Sequence, residues 1–438
     1  MPDQKTDSPK TVDSPVLVVG TTPDYVVKIY HSYQKPVLFL MDIRFREDPL
    51  LNKIDKSALV FSPLNNFDMT VCDLTRHFNG SQSRLRGVAC FDCESLILAG
   101  RLAEYFQRPF PSPKAIARTR NKFESRLLWM ESGVYTPHAV TASNLEQTLT
   151  FFQKIKRPII LKPISSSGSE LVFKCQNERE IGKAVRILRK QLFKRLANPF
   201  FTDIKREAVL DPCQTWIAEE FIRGPEYSCD FILNQGKVTL VRETGKIKAP
   251  DQTFGTVLAY TCPPVYPKGF SYENLYEILG KAADALGFSH GYFMTDFIVS
   301  NGKVYIIEIT PRPGGDSIPD LIKTASGYDI LNGYLEFICE NKSTERSFLP
   351  LKVNTCAGIN FYADRAGVIS QLNYSELLAD PMVKNVIFKK QPGDRVVLPP
   401  DNYDDRLLGY CIVALNSSRL HHSQYRSLQR RLKVSITN

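Results

Sequence analysis

Between Thr295 and Gly315 the chain reads TDFIVSNGKVYIIEITPRPGG, two runs of β-branched and aromatic residues joined by Asn-Gly, each run carrying one acid. The runs predict two paired strands, Gly291 to Val299 and Lys303 to Ile309. Between hydrophobic strand residues Asp296 and Glu308 are poor for stability. With Ser300-Asn301-Gly302 as the loop, Asp296 falls opposite Ile306 and diagonal to Glu308, and both acids share one face. A two-residue Asn-Gly turn separates them. Two converging hard oxygen ligands suit Mg²⁺ bound to phosphates, while a solvated hairpin with incidental acids is the alternative. Arg312 follows within reach of the same face, where its fork could hold a transferring phosphoryl group.

Two earlier segments carry matching chemistry. LKPISSSGSE, Leu161 to Glu170, ends a strand on Lys162 and continues into serines and one glycine. Backbone N–H groups and hydroxyls of such a loop can line a polyphosphate while the ammonium neutralises it. The lysine precedes the loop, so this is not the G-x-x-x-x-G-K-[ST] phosphate loop, and a plain β-turn remains an alternative. EEFIRGPEYS, Glu219 to Ser228, reads as strand, Gly-Pro turn and strand. Extended backbone at Glu220, Phe221 and Ile222 can pair with the edge of a purine, and the Glu226 carboxylate can accept from ribose hydroxyls; an ordinary hairpin with surface acids is the bland reading.

The chain has 438 residues, enough for roughly three lobes. We expect a disordered leader at 1–15, an α/β lobe at 16–112, a central domain at 113–345 with a lid about 150–222, and a small C-terminal lid at 346–438. Val16 to Gly20 reads as a buried strand, without the glycine-rich dinucleotide loop after it. Asp92 caps a helix whose Leu96, Ala99, Ala103 and Phe106 share a face, and the prolines between Arg108 and Pro113 end it. One helix is expected over Lys114 to Glu131, stopped by Gly133. No run approaches the roughly 18 apolar residues of a membrane span, and the leader is polar, which predicts a cytoplasmic protein. Ten cysteines scattered from Cys72 to Cys411 read as reduced thiols, Cys90 and Cys93 included. The net charge of +10 suits an anionic small substrate, nucleic acid or a membrane surface. The basic run from Arg419 through Arg426, Arg430, Arg431 and Lys433 lacks the stacking aromatics of a nucleic-acid surface and reads as a solvated helix face.

These three elements, in this order and spacing, resemble the ATP-grasp superfamily over nearly the whole chain. The resemblance implies an α/β fold, α+β in its central and C-terminal lobes, with a Rossmann-like N-terminal lobe and a C-terminal lid. RNKFESRLLWMESGVYTP is similar to the segment carrying the family's first phosphate lysine, here Lys122, and Lys162 matches the second. Ser165, Ser166, Ser167, Gly168 and Ser169 resemble its phosphate-covering loop. EEFIRGPE is similar to the adenine hinge of D-alanine:D-alanine ligases. That similarity implies Glu219 at the adenine amino group, the Ile222 backbone at the ring and Glu226 on the ribose. Glu220, Phe221, Ile307, Lys246 and Lys248 join this nucleotide set. Asp296 and Glu308 match the magnesium ligands, and Mn²⁺ could substitute. Thr310 stands where many members have asparagine, which leaves the second magnesium with a weaker ligand.

ITPRPGG and the GVISQLN and PGDRVV segments resemble the L-amino acid ligase branch. What the branch implies is an ATP-dependent carboxylate–amine ligase that activates its acid, an amino acid, as an acyl phosphate and transfers it to an amine. Arg312 and the amides of Gly314 and Gly315 would hold the oxyanion. A homodimer is a further expectation. The alternatives are another ATP-grasp ligase, biotin carboxylase-like or purine-pathway in type, and an ATP-binding module without turnover.

Overall fold

The computed structural model describes residues 14–79, 85–194, 210–250, 252–340, 353–417 and 420–437. All but the last two residues of the leader, and Arg419 of the basic run, lie outside them. The chain divides into two units, Met1–Phe110 with Tyr334–Lys342, and Pro111–Gly333 with Ser343–Asn438.

In the first unit four parallel strands stand in the order Leu59–Ser62, Val37–Asp42, Val16–Val19, Gly87–Ala89. Val16 to Val19 are all buried, as a strand covered on both faces requires. The cap position of the following helix, Leu96–Tyr105, is Ser95 and not Asp92, whose carboxylate accepts from Ser95 N and also from Thr21 N at 2.6 Å each. Cys90 and Cys93 are buried. The returning helix Ile330–Glu340 is tied to this sheet through Tyr334, whose hydroxyl oxygen accepts from Cys90 N–H at 3.4 Å.

Among the described residues the second unit holds three sheets. A four-stranded antiparallel sheet runs Ala139–Ala142, Trp216–Glu220, Ile159–Pro163, Phe173–Cys175. An eight-stranded sheet runs Lys303–Thr310, His290–Ser300, Glu226–Asn234, Lys237–Lys248, Val257–Cys262, Cys356–Tyr362, Leu407–Ala414, Val383–Phe388. Segment 346–438, expected as a separate lid, thus contributes three of these strands, besides a three-stranded sheet of Arg395–Val396, Gly367–Asn373 and Lys433–Thr437. One apolar cluster joins the large sheet to the helix Tyr272–Ala285 and to Trp129, whose indole N–H donates to Ala282 O at 2.9 Å.

Local departures from the expected pattern position the polar residues. The helix expected over Lys114 to Glu131 is two, Pro113–Arg120 and Lys122–Glu131, because Asn121 is extended (φ −91°, ψ 95°) and its side chain accepts from Glu124 N as a cap. That break lets Lys122 N–H donate to Ile164 O at 3.0 Å. The 295–310 hairpin also differs from expectation. Ser300 pairs with Lys303, so the turn is the two-residue Asn301-Gly302, with φ of 49° and 74°. Regular pairing from that turn would set Ile307 opposite Asp296 and send Glu308 to the core. Instead the register shifts by one residue between Asp296 and Phe297, leaving Ile307 as a bulge and pairing Asp296 with Glu308. Val304, Ile306 and Ile309 then face the core while both acids face away from it.

The Gly-Pro turn linking the two larger sheets has a similar constraint. Gly224 has φ 157°, and a Cβ there would lie 2.2 Å from the Val299 carbonyl oxygen. Gly224→Ala therefore pushes the 295–310 hairpin away and should destabilise by at least about 1 kcal/mol, read as a lower urea midpoint at unchanged m-value.

Candidate functional site

The two larger sheets of the second unit enclose a cavity of about 320 Å³. Strand ends and turns supply its wall. Lys162 leaves the strand Ile159–Pro163, and Ser166, Ser167, Gly168 and Ser169 follow it along the rim. Glu219, Glu220, Phe221 and Ile222 form one side, and Glu226, Lys246, Lys248, Asp296, Ile307 and Glu308 form the floor, with Lys122 above them. The bulge puts Ile307 and Glu308 on the same side of the strand, which is how both reach the cavity.

Each carboxylate here has an ammonium or guanidinium beside it. Glu219, 3 % exposed, lies 2.7 Å from Lys162 Nζ and 2.9 Å from Arg126 Nε, the latter an ion pair without hydrogen-bond alignment. Lys246 Nζ bridges Glu226 at 3.1 Å and Asp296 at 2.5 Å, and Lys248 also binds Glu226. Lys122 Nζ donates to Ser166 O at 2.7 Å and stands 3.9 Å from Glu308. Burial and neighbours compete at Lys162, Glu219, Glu226, Asp296 and Glu308. Burial pushes the Lys162 ammonium down to about 8, against the pull of Glu219. Burial would raise the Glu226 carboxyl, but Lys246 and Lys248 hold it at about 2. At Glu308 burial is outweighed by Lys122, Lys162, Arg312 and Lys246, and its pKa falls. At Glu219 burial is likewise outweighed, by Arg126 and Lys162, so its pKa is lowered. Asp296 alone goes up, because burial together with Glu226 and Glu308 exceeds what Lys246 offsets.

That excess of negative charge at Asp296 is an arrangement a divalent cation relieves. Among the described residues no group of three or more His, Cys, Asp or Glu could hold a metal by itself. The pair Asp296 and Glu308 fits an ion that takes its remaining ligands from phosphate oxygens and water, as Mg²⁺ does.

Several expected site residues stand elsewhere. Ser165 is buried, away from the cavity wall. Thr310, expected as a metal ligand, is 3 % exposed and donates its hydroxyl to Glu308 Oε1 at 3.4 Å, so it orients the acid rather than lining the cavity. Gly314, expected as an oxyanion donor, gives its N–H to the Asp230 carboxylate at 3.1 and 3.2 Å. It is pinned there because a Cβ would lie 2.2 Å from Arg242 Nη2. Gly315 is outside the wall too, and its carbonyl accepts from Ile318 N at 3.2 Å. Arg312 is not on the wall but lies near enough to lower the Glu308 pKa. At the purine-pairing stretch, the amides of Glu220 and Phe221 are spent on His138 O and Pro158 O, and the Glu220 side chain pairs with Arg157 at 3.0 Å.

Sequence reasoning missed Arg126 and Phe254. Arg126 follows Lys122 by four residues on the same helix, a spacing that puts both on one face and was legible. Phe254 has no such signal. It comes from the loop before Val257–Cys262, and its ring meets that of Phe221 edge-on with centroids 6.2 Å apart.

An apolar slot lies beside these paired lysines and acids, between two antiparallel sheets. Residues 155–320 match the family model described as ATP-grasp domain. It is 24 % identical over 324 residues, 73 % of this chain and 62 % of the relative, to an uncharacterized protein of Sinorhizobium fredii. It is 26 % identical over 232 residues, 50 % of this chain and 63 % of the relative, to a D-alanine–D-alanine ligase of Acidovorax ebreus. The match thus spans less than two thirds of the length of these curated relatives. In fold it is similar to a solved L-amino acid ligase from Bacillus licheniformis, with TM-score 0.75, 18 % identity and coverage of 98 % of this chain and 100 % of that one.

The depressed Lys162 pKa has a measurable sign. A lysine near 8 in the folded chain and about 10.5 unfolded binds fewer protons when folded between those values, so stability rises with pH across about 8 to 10.5. Urea unfolding at pH 8 and pH 10 should show a gain of up to about 3 kcal/mol that Lys162→Met lacks. Equal slopes in both proteins would mean that Lys162 is not desolvated.

Proposed function

We propose that this chain is an ATP-dependent carboxylate–amine ligase that activates its acid, an amino acid, as an acyl phosphate and joins it to an amine in the cytoplasm. The observation that carries this reading is the convergence of Lys122, Lys162, Asp296 and Glu308 on one cavity with an apolar slot beside it. The slot, bounded by Phe221, Ile222, Ile160 and Ile298, suits a purine. Among the described residues Ile222 N–H makes no main-chain bond, so it can donate to a ring nitrogen. Glu226 lies where ribose hydroxyls would fall, and the ammonium groups of Lys122 and Lys162 take the phosphates. Held by Asp296 and Glu308, Mg²⁺ would supply charge neutralisation at the phosphate oxygens.

The remaining work is positioning. Arg312 orients the carboxylate of the acid so that an oxygen attacks the γ-phosphorus in line, and ADP leaves with the electron pair of the bridging P–O bond. Ser166 to Ser169 close over the phosphates and keep water from competing with the amine. The amine nitrogen then attacks the acyl carbon, and phosphate leaves with the bonding pair. No nucleophilic side chain takes part.

The direct measurement is phosphate and ADP release from ATP by the purified chain across a panel of acids, amino acids first, each paired with amines. Release that needs both acid and amine is expected, with mass spectrometry identifying an amide. No release across the panel would leave an ATP-binding module. Glu308→Gln should lower kcat at least about 100-fold while circular dichroism stays unchanged; an unaffected kcat removes Glu308 from the metal set.

A further inference from the structure

Arg126 has no part in the scheme above, although its guanidinium is buried to 1 % exposure beside the cavity. The helix Lys122–Glu131 buries Lys122, Ser125, Arg126 and Trp129 along one face, so Arg126 follows Lys122 by one turn. The indole N–H of Trp129 anchors that face on Ala282 O, and Arg126 Cζ lies 5.3 Å from the Trp129 ring centroid. Glu219 comes from the sheet opposite. It is the cross-strand partner of Ile160, two residues before Lys162, which puts the Glu219 and Lys162 side chains on one face of that sheet. Each Glu219 oxygen meets a different cation, Oε2 the Lys162 ammonium at 2.7 Å and Oε1 the Arg126 Nε at 2.9 Å.

The two contacts differ in kind. Lys162 hydrogen-bonds its oxygen. Arg126 Nε, Nη1 and Nη2 are all buried without a hydrogen-bond partner among the described residues, and so is Glu219 Oε1. Native proteins rarely bury donors and acceptors of this strength and leave them unused. Lys162 lines the cavity and Arg126 does not, so a bound nucleotide is not what those guanidinium donors would meet. The buried acceptor beside them with capacity to spare is Glu219 Oε1.

A lysine that turns to a phosphate oxygen loosens its hold on its carboxylate. Glu219 is buried, and a buried acid deprived of its cation is strongly destabilising. Arg126 offsets that loss. Against burial, its charge comes ahead of that of Lys162 in keeping the Glu219 carboxyl below its ordinary range. A small turn of the guanidinium makes the unaligned contact a two-pronged one, the geometry in which arginine binds carboxylates best. We infer that Arg126 is a positioning residue: it takes over Glu219 when Lys162 turns to the phosphates, which frees the ammonium for the nucleotide without leaving a buried charge alone. This rests on the nucleotide site of the ligase reading and adds to it an exchange of counter-ions behind the cavity wall.

The test is calorimetry on the full chain with adenosine and with the Mg²⁺ complex of a non-hydrolysable ATP analogue. The ratio of the two dissociation constants reads the phosphate contacts, whereas damage to the fold or to the purine slot moves both constants together. In Arg126→Gln the Glu219 carboxylate depends on Lys162, so the preference for the ATP analogue over adenosine should fall about tenfold to a hundredfold. Adding Glu219→Gln removes the carboxylate that retains Lys162, and the preference of this double variant should return to the wild-type value or exceed it. A merely structural arginine gives no such recovery. An unchanged preference in Arg126→Gln, or a double variant as weak as the single one, overturns the inference. If circular dichroism shows Arg126→Gln unfolded, the double variant, in which the buried acid and its arginine are both neutral, is compared with wild type: a preference at least as high upholds the exchange, and a lower one overturns it. A wild-type chain that binds neither ligand loses the nucleotide site and this inference with it. Recovery in the double variant without phosphate release from any acid and amine leaves the exchange standing and removes the ligase reading alone.

Discussion

One ammonium, that of Lys246, lies within 3.1 Å of both Glu226 and Asp296, and the rest of the site is arranged around the charge it leaves unbalanced. Four carboxylates, Glu219, Glu226, Asp296 and Glu308, sit on sheet faces that would otherwise bury apolar residues. Desolvation raises the pKa of each. Arg126, Lys122, Lys162, Lys246 and Lys248 keep three of the four in the charged state, and only Asp296 ends above its ordinary pKa. The protein keeps cations close to acids where a nucleotide's phosphates and a divalent ion would enter, so binding exchanges one set of ion pairs for another and strands no charge in a dry cavity.

Backbone irregularities decide which side chains take part in that exchange. Asn121 interrupts a helix and turns Lys122 toward the loop after Lys162. The Ile307 bulge lets Glu308 face Asp296 across a hairpin whose turn length alone would have sent it to the core. Asp230 and Arg242, both nearly inaccessible, fix the Gly314 amide and with it the loop that follows Arg312. Each is a small local cost placed where the regular element would have pointed a functional group the wrong way.

Much of the site was legible in the chain because its signals are local. Lys162 before a serine loop, the Glu219–Glu226 stretch and two acids in paired strands are short patterns, and all of these except Ser165 and Arg223 line one cavity. The partners of the Thr310 hydroxyl and the Gly314 amide are not legible locally, since Asp230 lies 84 residues from Gly314 in sequence. Phe254 was missed for the same reason, since its position beside Phe221 comes from packing between two sheets.

By itself the sequence determined the periodicities of the strands, the charged residues available and the order of the phosphate, hinge and acid segments, since these depend on neighbours a few positions away. Only the tertiary structure decided the hairpin register, the split of the 113–131 helix, the entry of residues 356–414 into the central sheet and the pairing of each acid with its cation. Those depend on groups that meet across sheets, where one residue of register turns a side chain from cavity to core and no local pattern records which face wins.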